Sequence, residues 1–425
     1  MIHPLAITMW DFSWIERRWD GAGFEDWNAV LDGVKGRGYD AVRIDAFPHL
    51  LSQAPEKEWL LLPVWYSNDW GSPYKVRVRL FPALIDFLKA CRARRIKVAL
   101  SSWFREDADN VRMALSTPQA MAKCWIDTLR LIANAGLMDT ILYVDLCNEF
   151  PGDFWSPYFR NDPPWMTWSC WHTDAAMDYM RTAIALVRQE YPDLPYCFSF
   201  DGENTHFYRE RDLSFFDLAE HHIWMTKLNK QQFCREVGQA KDGRFTEEAY
   251  HLLADHALDV YHSKEKYWKQ LLVDGIQTLA ADAKAAGLPL ATTECWGITD
   301  YKDFPMLPWG WVKDLCALGV ETACQTGQWA LMATSNFAAP QFCGMWRDVA
   351  WHQRLTTMIH EAPLPPEAET ATGMHSPGHR ATAVQRTPSL PAERRPDTGA
   401  ADTGGASECP SWTAPPNIGG STKRQ

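Results

Sequence analysis

The chain has 425 residues, 46% hydrophobic and 22% charged, enough for one large or several ordinary globular domains with a sizeable core. Its formal net charge of -11 argues against DNA or RNA as a main partner, because phosphate binding needs a basic surface. No apolar run reaches the roughly 18 residues of a membrane span, and the 11 cysteines are scattered with no Cys-x-x-Cys spacing, against a disulfide framework or structural zinc site.

The chain starts with an apolar stretch that has no basic residues before it and stops at Asp11, too early for a signal peptide; with the scattered cysteines this reads as a cytoplasmic protein. In chain order, strand-like runs fall at Leu5–Trp10, Ala41–Ala46, Lys97–Ser102, Thr140–Leu146, Pro195–Phe200, Leu218–Trp224, Leu290–Glu294 and Thr322–Trp329. Amphipathic stretches lie between them: Trp27–Arg37, Phe81–Arg95, Pro118–Ala135, Thr173–Tyr191, Lys264–Ala286 and Leu307–Leu318. Gly38, Gly136, Gly287 and Gly319 stand where a glycine ends a helix. Helix, glycine, strand is the rhythm of parallel βα units, and eight of them predict an α/β fold, a (β/α)₈ TIM barrel, over residues 1–361. A doubly wound sheet is the rival, but no Gly-x-Gly-x-x-Gly or Walker-type loop follows the first strand. Residues 362–425 hold Leu364, Val384, Leu390 and Ile418 as their only Leu, Ile or Val, and read as a disordered low-complexity tail.

Chemistry in such a barrel sits at the C-terminal strand ends. There the fourth strand runs into Asp145-Leu146-Cys147-Asn148-Glu149-Phe150-Pro151 and the seventh into Thr293-Glu294-Cys295-Trp296. A glutamate directly after an apolar run suits acid/base work, and two facing carboxylates can protonate a glycosidic oxygen and attack the anomeric carbon or activate water. Tryptophan is abundant, at 22 residues, and an indole face packs well on a pyranose. Trp10, Trp103 and Trp296 fall at the expected rim, and two long loops, Leu62–Tyr74 with Trp65, Tyr66, Asp69 and Trp70, and Phe154–Trp171 with Trp155, Trp165 and Trp168, are placed to overhang it.

Asn148-Glu149 after the fourth strand, with Glu294 after the seventh, resembles the clan A retaining glycoside hydrolases that include family 5 cellulases and β-mannanases. The resemblance spans most of residues 1–361 and implies a retaining β-glycosidase acting on oligosaccharides or other glycosides by double displacement, without a cofactor or metal. It makes Glu149 the acid/base, Glu294 the nucleophile and Asn148 the holder of the substrate 2-hydroxyl. Arg43, in Val42-Arg43-Ile44, matches the clan's strand-two arginine beside the nucleophile. Glu220-His221-His222-Ile223-Trp224 is similar to its His-x-Tyr segment, with His222 in the subsite, Trp224 in the tyrosine's place, and Glu220, His222 and Trp224 on one strand face. Trp329, in Gln328-Trp329, would be the aromatic platform ending the eighth strand. Two departures stand out: Phe150 separates Asn-Glu from Pro151, and Trp224 lacks the hydroxyl that usually contacts the nucleophile.

The rival functions are weaker. Glu220, His221, His222 and His206 form no His-Glu-x-x-His metal motif, and Cys147 and Cys295, though beside the glutamates, have no activating histidine in pattern. A non-catalytic carbohydrate-binding barrel would not need a proton donor, and an interaction protein would rest on the tail alone.

Overall fold

The apolar runs fold as parallel strands and the amphipathic stretches as helices laid over them. The structure is a computed structural model that describes residues 3–64, 71–152, 154–159, 170–239, 246–301, 303, 307–366 and 368. Trp65, Tyr66, Asp69, Trp70, Trp165, Trp168 and all but 362–366 and 368 of the expected tail lie outside the described residues.

Among the described residues twelve strands occur in order: β1 Leu5–Met9, β2 Ala41–Asp45, β3 Glu58–Leu61, β4 Val76–Arg79, β5 Lys97–Ser101, β6 Ile141–Asp145, β7 Tyr196–Cys197, β8 Phe200–Asp201, β9 Ala219–Trp224, β10 Leu290–Thr292, β11 Cys295–Trp296 and β12 Trp329–Met332. All but β3 and β4 join one parallel sheet in the order β9-β10-β12-β1-β2-β5-β6-β7. The sheet closes because Tyr196–Asp201 acts as one barrel strand: β7 pairs with β6, and β8, three residues on, pairs with β9. This is a (β/α)₈ barrel. β11 likewise extends the seventh barrel strand along β9. β3 and β4 form an antiparallel hairpin inserted after β2, extended by a Val64–Ser72 bridge.

Side-chain alternation builds the interior in layers. Ala41, Ala99, Tyr143, Cys197 and Ala291 belong to one buried apolar cluster with Ile7 and Leu331. Two residues further along the same strands stand Arg43, Ser101, Asp145, Ser199 and Thr293, all buried. An apolar floor is thus followed directly by a polar layer, which is where the site forms. Around the barrel, helices 27–36, 80–93, 118–134, 174–190, 265–285 and 310–326 bury their apolar faces on the outer side of the strands.

Gly38, Gly136 and Gly287 end their helices with positive φ, as expected. The eighth unit differs from expectation. Helix Gly310–Thr326 runs through the Thr322–Thr326 stretch read as strand, and Gly327 (φ 66) ends it, so Trp329 opens β12 instead of closing it. Gly319 lies inside that helix, against Trp296: a Cβ there would stand 2.5 Å from the indole Cγ. The reason is steric; the glycine lets the helix approach the indole. Gly319→Ala gains about 1 kcal/mol of helix propensity, but this overlap outweighs it, and a net loss of about 1–2 kcal/mol is expected from overpacking. Urea denaturation measures it; an unchanged or raised midpoint would show that the contact is not tight.

Candidate active site

The site starts from Arg43 on β2, which is fully buried. Its Nη2 shares its two hydrogens among Asp145 Oδ2 (2.5 Å), Asn148 Oδ1 (2.8 Å), Ser101 Oγ (3.0 Å) and Ser199 Oγ (3.2 Å), and its Nη1 donates to Glu294 Oε1 (3.3 Å). One guanidinium therefore ties together the ends of β2, β5, β6, the β7–β8 strand and the seventh barrel strand. Its plane also lies 4.6 Å from the Trp103 ring.

After β6 the chain must turn Glu149 toward the barrel axis. It does so with φ 46 at Glu149, a left-handed conformation uncommon for a side chain of this size. Ser199 holds the turn: its Oγ accepts the Glu149 N–H (3.0 Å) and its carbonyl the Phe150 N–H (3.0 Å). Phe150 points away and packs on Phe198 (4.8 Å) and Tyr179 (5.4 Å), pinning the turn to helix Asp174–Glu190. The intervening residue before Pro151 is thus an anchor that aims Glu149.

On β9 the expected alternation holds. His221 turns to Gly202 O and Tyr208, whereas His222 enters the site. His222 Nδ1 donates to Glu149 Oε1 at 3.1 Å and lies 3.7 Å from Glu294 Oε1, and its Nε2 faces Glu220 Oε1 at 3.6 Å. Glu220 accepts from Tyr143 OH, Thr293 N–H and Thr293 Oγ1. Atoms of Glu149, His222 and Glu294 all lie within 4.8 Å of one another. Trp224 stands 5.8 Å from the His222 ring. Lys227, which the motifs did not reveal, bonds Asp201, lies 3.8 Å from Glu149 Oε1 and sits 4.2 Å over the Trp224 ring. Its only signal in the sequence is a charge just past a strand end. Asp145, Ser101, Ser199 and Asp201 were also unassigned by motif; each is polar at a position where strand alternation points inward.

Electrostatics divide the two glutamates. Burial raises the affinity of both for protons. At Glu149 the Lys227 ammonium and the His222 hydrogen bond more than offset it, holding the carboxyl at about 2. At Glu294 burial wins over His222, with the Glu149 charge adding to it, and the carboxyl is raised. In the ligand-free site the proton therefore favours Glu294. Burial disfavours a charged His222, but Glu294, Glu149 and Glu220 around it push its pKa to about 10.

The Glu149–His222–Glu294 triangle has the size of a metal site. Its positive charge is already supplied by protonated His222, in ion-pair range of both carboxylates, by Arg43 beside Glu294 and by Lys227 beside Glu149, which suits proton transfer better than metal binding. His206 does not join it and pairs with Glu210 at 3.6 Å. Cys147 and Cys295 are buried, which pushes their thiols well up and keeps them from acting as thiolates.

Of the expected aromatic wall, Trp103 and Trp224 reach the charged cluster. Trp10 packs on Phe24 (5.0 Å) and Phe87 (6.0 Å). Trp296 lies against Gly319 and donates to Ala333 O, and Trp329 donates to Thr292 Oγ1 and touches Trp296. The structure thus does not bring Trp10, Trp296 and Trp329 to the carboxylates; for Trp329 the reason is the longer helix before β12. Trp171 packs on Phe200 and Phe207.

The barrel, with buried paired glutamates at the ends of its fourth and seventh strands, has a glycoside hydrolase-like fold. The model of the cellulase-like family, described as sugar-binding cellulase-like, matches residues 7–360, and the chain belongs to this family. A crystal structure from Parabacteroides distasonis ATCC 8503, of a protein provisionally assigned as a glycoside hydrolase, is 51% identical, with a TM-score of 0.84 over 86% of this chain and 96% of that one. The endo-β-1,4-mannanase of Thermotoga petrophila is 10% identical, with a TM-score of 0.49 over 85% of this chain and 78% of that one. Among curated proteins none matches the sequence significantly. Among the described residues no helix is long and apolar enough to cross a membrane.

The His222 charge has a measurable consequence. A pKa raised from 6.5 to about 10 means that the folded chain holds the proton more tightly than the unfolded one. Its contribution to stability is complete below pH 6.5 and is lost as pH rises through about 10. For His222→Gln the urea midpoint is expected to fall less steeply than wild type across this range; parallel slopes would mean that folded His222 is uncharged.

Proposed function

We propose that the protein hydrolyses β-glycosidic bonds of oligosaccharides or related glycosides with retention, by double displacement. Glu294 attacks the anomeric carbon while Glu149 gives its proton to the leaving oxygen. Glu149 then takes a proton from water as that water attacks the Glu294 glycosyl ester, which restores both groups. The observation that carries this is the separation of the two carboxylates, within 4.8 Å between their nearest atoms around His222. Such a separation suits the roughly 5–5.5 Å spacing of retaining enzymes better than the about 6.5–9.5 Å of inverting ones.

The singly protonated pair is the active form, and its two titration steps belong to the pair as a whole. His222 Nδ1 faces both Oε1 atoms and gives the proton a route between them. Arg43 favours the ionised form of Glu294, the form that attacks. Asn148, with Oδ1 fixed by Arg43, keeps its amide NH₂ for a sugar hydroxyl, a bond that strengthens as the oxocarbenium-like transition state forms. Trp103 and Trp224 supply the apolar walls.

The family's sugar-binding description favours one alternative, a barrel that holds a carbohydrate without cleaving it. A panel of aryl β-glycosides, with the product anomer followed by NMR, separates the two. Wild type is expected to release the β-anomer first. Glu294→Ala should abolish hydrolysis with sugar affinity largely kept, and Glu149→Ala should lose about 10²–10⁴-fold on poor leaving groups. Initial release of the α-anomer would exclude retention, and sugar binding with no cleavage of any aryl glycoside would establish the binding module.

A further inference from the structure

We propose that Lys227, anchored by Asp201, is a positioning residue that decides which catalytic glutamate carries their shared proton. This rests on the acid/base and nucleophile roles given above. Lys227 follows β9 by three residues, and Asp201 ends β8 opposite His222 in the parallel ladder, so the ion pair spans two adjacent strand ends. Both side chains are about nine-tenths buried, at 10% and 9% exposure, so water and salt screen them little. The ammonium is further fixed by the Trp224 ring below it.

The arrangement is asymmetric. Arg43 from β2 contacts Glu294, and His222 from β9 faces both glutamates. Lys227 lies within ion-pair distance of Glu149, 3.8 Å away, and has no such contact to Glu294. The groups facing Glu149 are therefore His222 and Lys227 as its nearest cations, Arg43 beyond them, and Glu294 and Asp201 as the opposing negative charges. Lys227 tips the balance, leaving Glu149 ionised and the proton on Glu294 while the site is empty.

A leaving-group oxygen that comes within hydrogen-bond distance of Glu149 competes with Lys227 for that carboxylate. Asp201 already holds the ammonium and keeps it when it withdraws. Glu149 then accepts the proton from Glu294 through His222, and both groups enter the first displacement in the correct form. In the glycosyl intermediate Glu294 is an uncharged ester, and Lys227 returns to Glu149 to stabilise the carboxylate that acts as base. No bond to carbon is made or broken by Lys227; a single proton changes place.

Carbon-13 NMR titration of glutamate-labelled protein, with the Glu149 signal assigned through Glu149→Gln, tests this without requiring turnover. In Lys227→Met the Glu149 carboxyl is expected to titrate about one to three pH units higher than in wild type, the usual effect of losing an opposite charge at this range. Lys227→Arg should restore the wild-type value. Asp201→Asn should move it the other way, because an opposing negative charge is lost, and serves as the second variant if Lys227→Met does not fold. With an aryl β-glycoside, the alkaline limb of kcat/KM should rise in Lys227→Met in step with the titration. An unmoved Glu149 titration in Lys227→Met, or a shift of the wrong sign in Asp201→Asn, overturns the proposal. Absence of turnover in wild type with a shifted titration would overturn the hydrolase reading and leave the proton placement standing.

Discussion

A guanidinium keeps its proton even where it is wholly buried, so Arg43 enters the barrel as a charge that the fold cannot remove. Its acceptors must therefore come from the neighbouring strand ends. Asp145 supplies the ion pair, Asn148 a neutral oxygen, and Ser101 and Ser199 hydroxyls small enough to stand above the Ala99 and Cys197 floor. The remaining contact is Glu294. Because one residue binds all these ends, the position of each carboxylate depends on the register of four other strands. Loss of Arg43 would leave Asp145 buried without its cation, the kind of defect that costs about 3–5 kcal/mol.

The same charge sets the protonation of the cluster. Among the described residues Arg43, His222 and Lys227 face the five carboxyls of Asp145, Glu149, Asp201, Glu220 and Glu294. Three cations cannot neutralise five carboxylates, and a net charge at this depth is costly. Burial relieves this by raising the proton affinity of Glu294, which carries the shared proton. Burial raises Glu294 and, against the pull of Lys227, Asp201, while Glu149 and Glu220 are held at about 2. The shared proton that glycosidic chemistry needs is thus a consequence of packing charges in these proportions.

Seven of the eight barrel strands were legible because each is a short apolar run with a glycine or turn before it; parity then put Glu220, His222 and Trp224 on one face, and Arg43 was placed by the family resemblance. The eighth was displaced because helix Gly310–Thr326 is apolar to its end and Gly319 inside it imitates a helix stop. Periodicity cannot tell a glycine that ends a helix from one that admits an indole. Tryptophans were hard to sort for a related reason. Trp296 stands two residues after Glu294 but turns outward to the helix, and sequence gives no sign of which side an indole takes when the strand is interrupted between β10 and β11. Lys227 was invisible because its meaning lies in Glu149, 78 residues earlier in the chain and joined to it only by the barrel.

The two departures from the expected family text are resolved by the same local physics. Phe150 separates Asn148-Glu149 from Pro151, yet its ring fills the space between Phe198 and Tyr179 and so fixes the left-handed turn that directs Glu149 inward. Trp224 cannot give Glu294 a hydroxyl, but His222 on the same face brings Nδ1 to 3.7 Å from its Oε1. A tyrosine hydroxyl would bring a neutral dipole, whereas His222 brings a charge that lies nearer to Glu149 than to Glu294. Exchanging dipole for charge couples the two glutamates through one imidazole. That coupling demands a second cation on one side to make them unequal, and Lys227, seated over the indole that replaced the phenol, is in place to provide it.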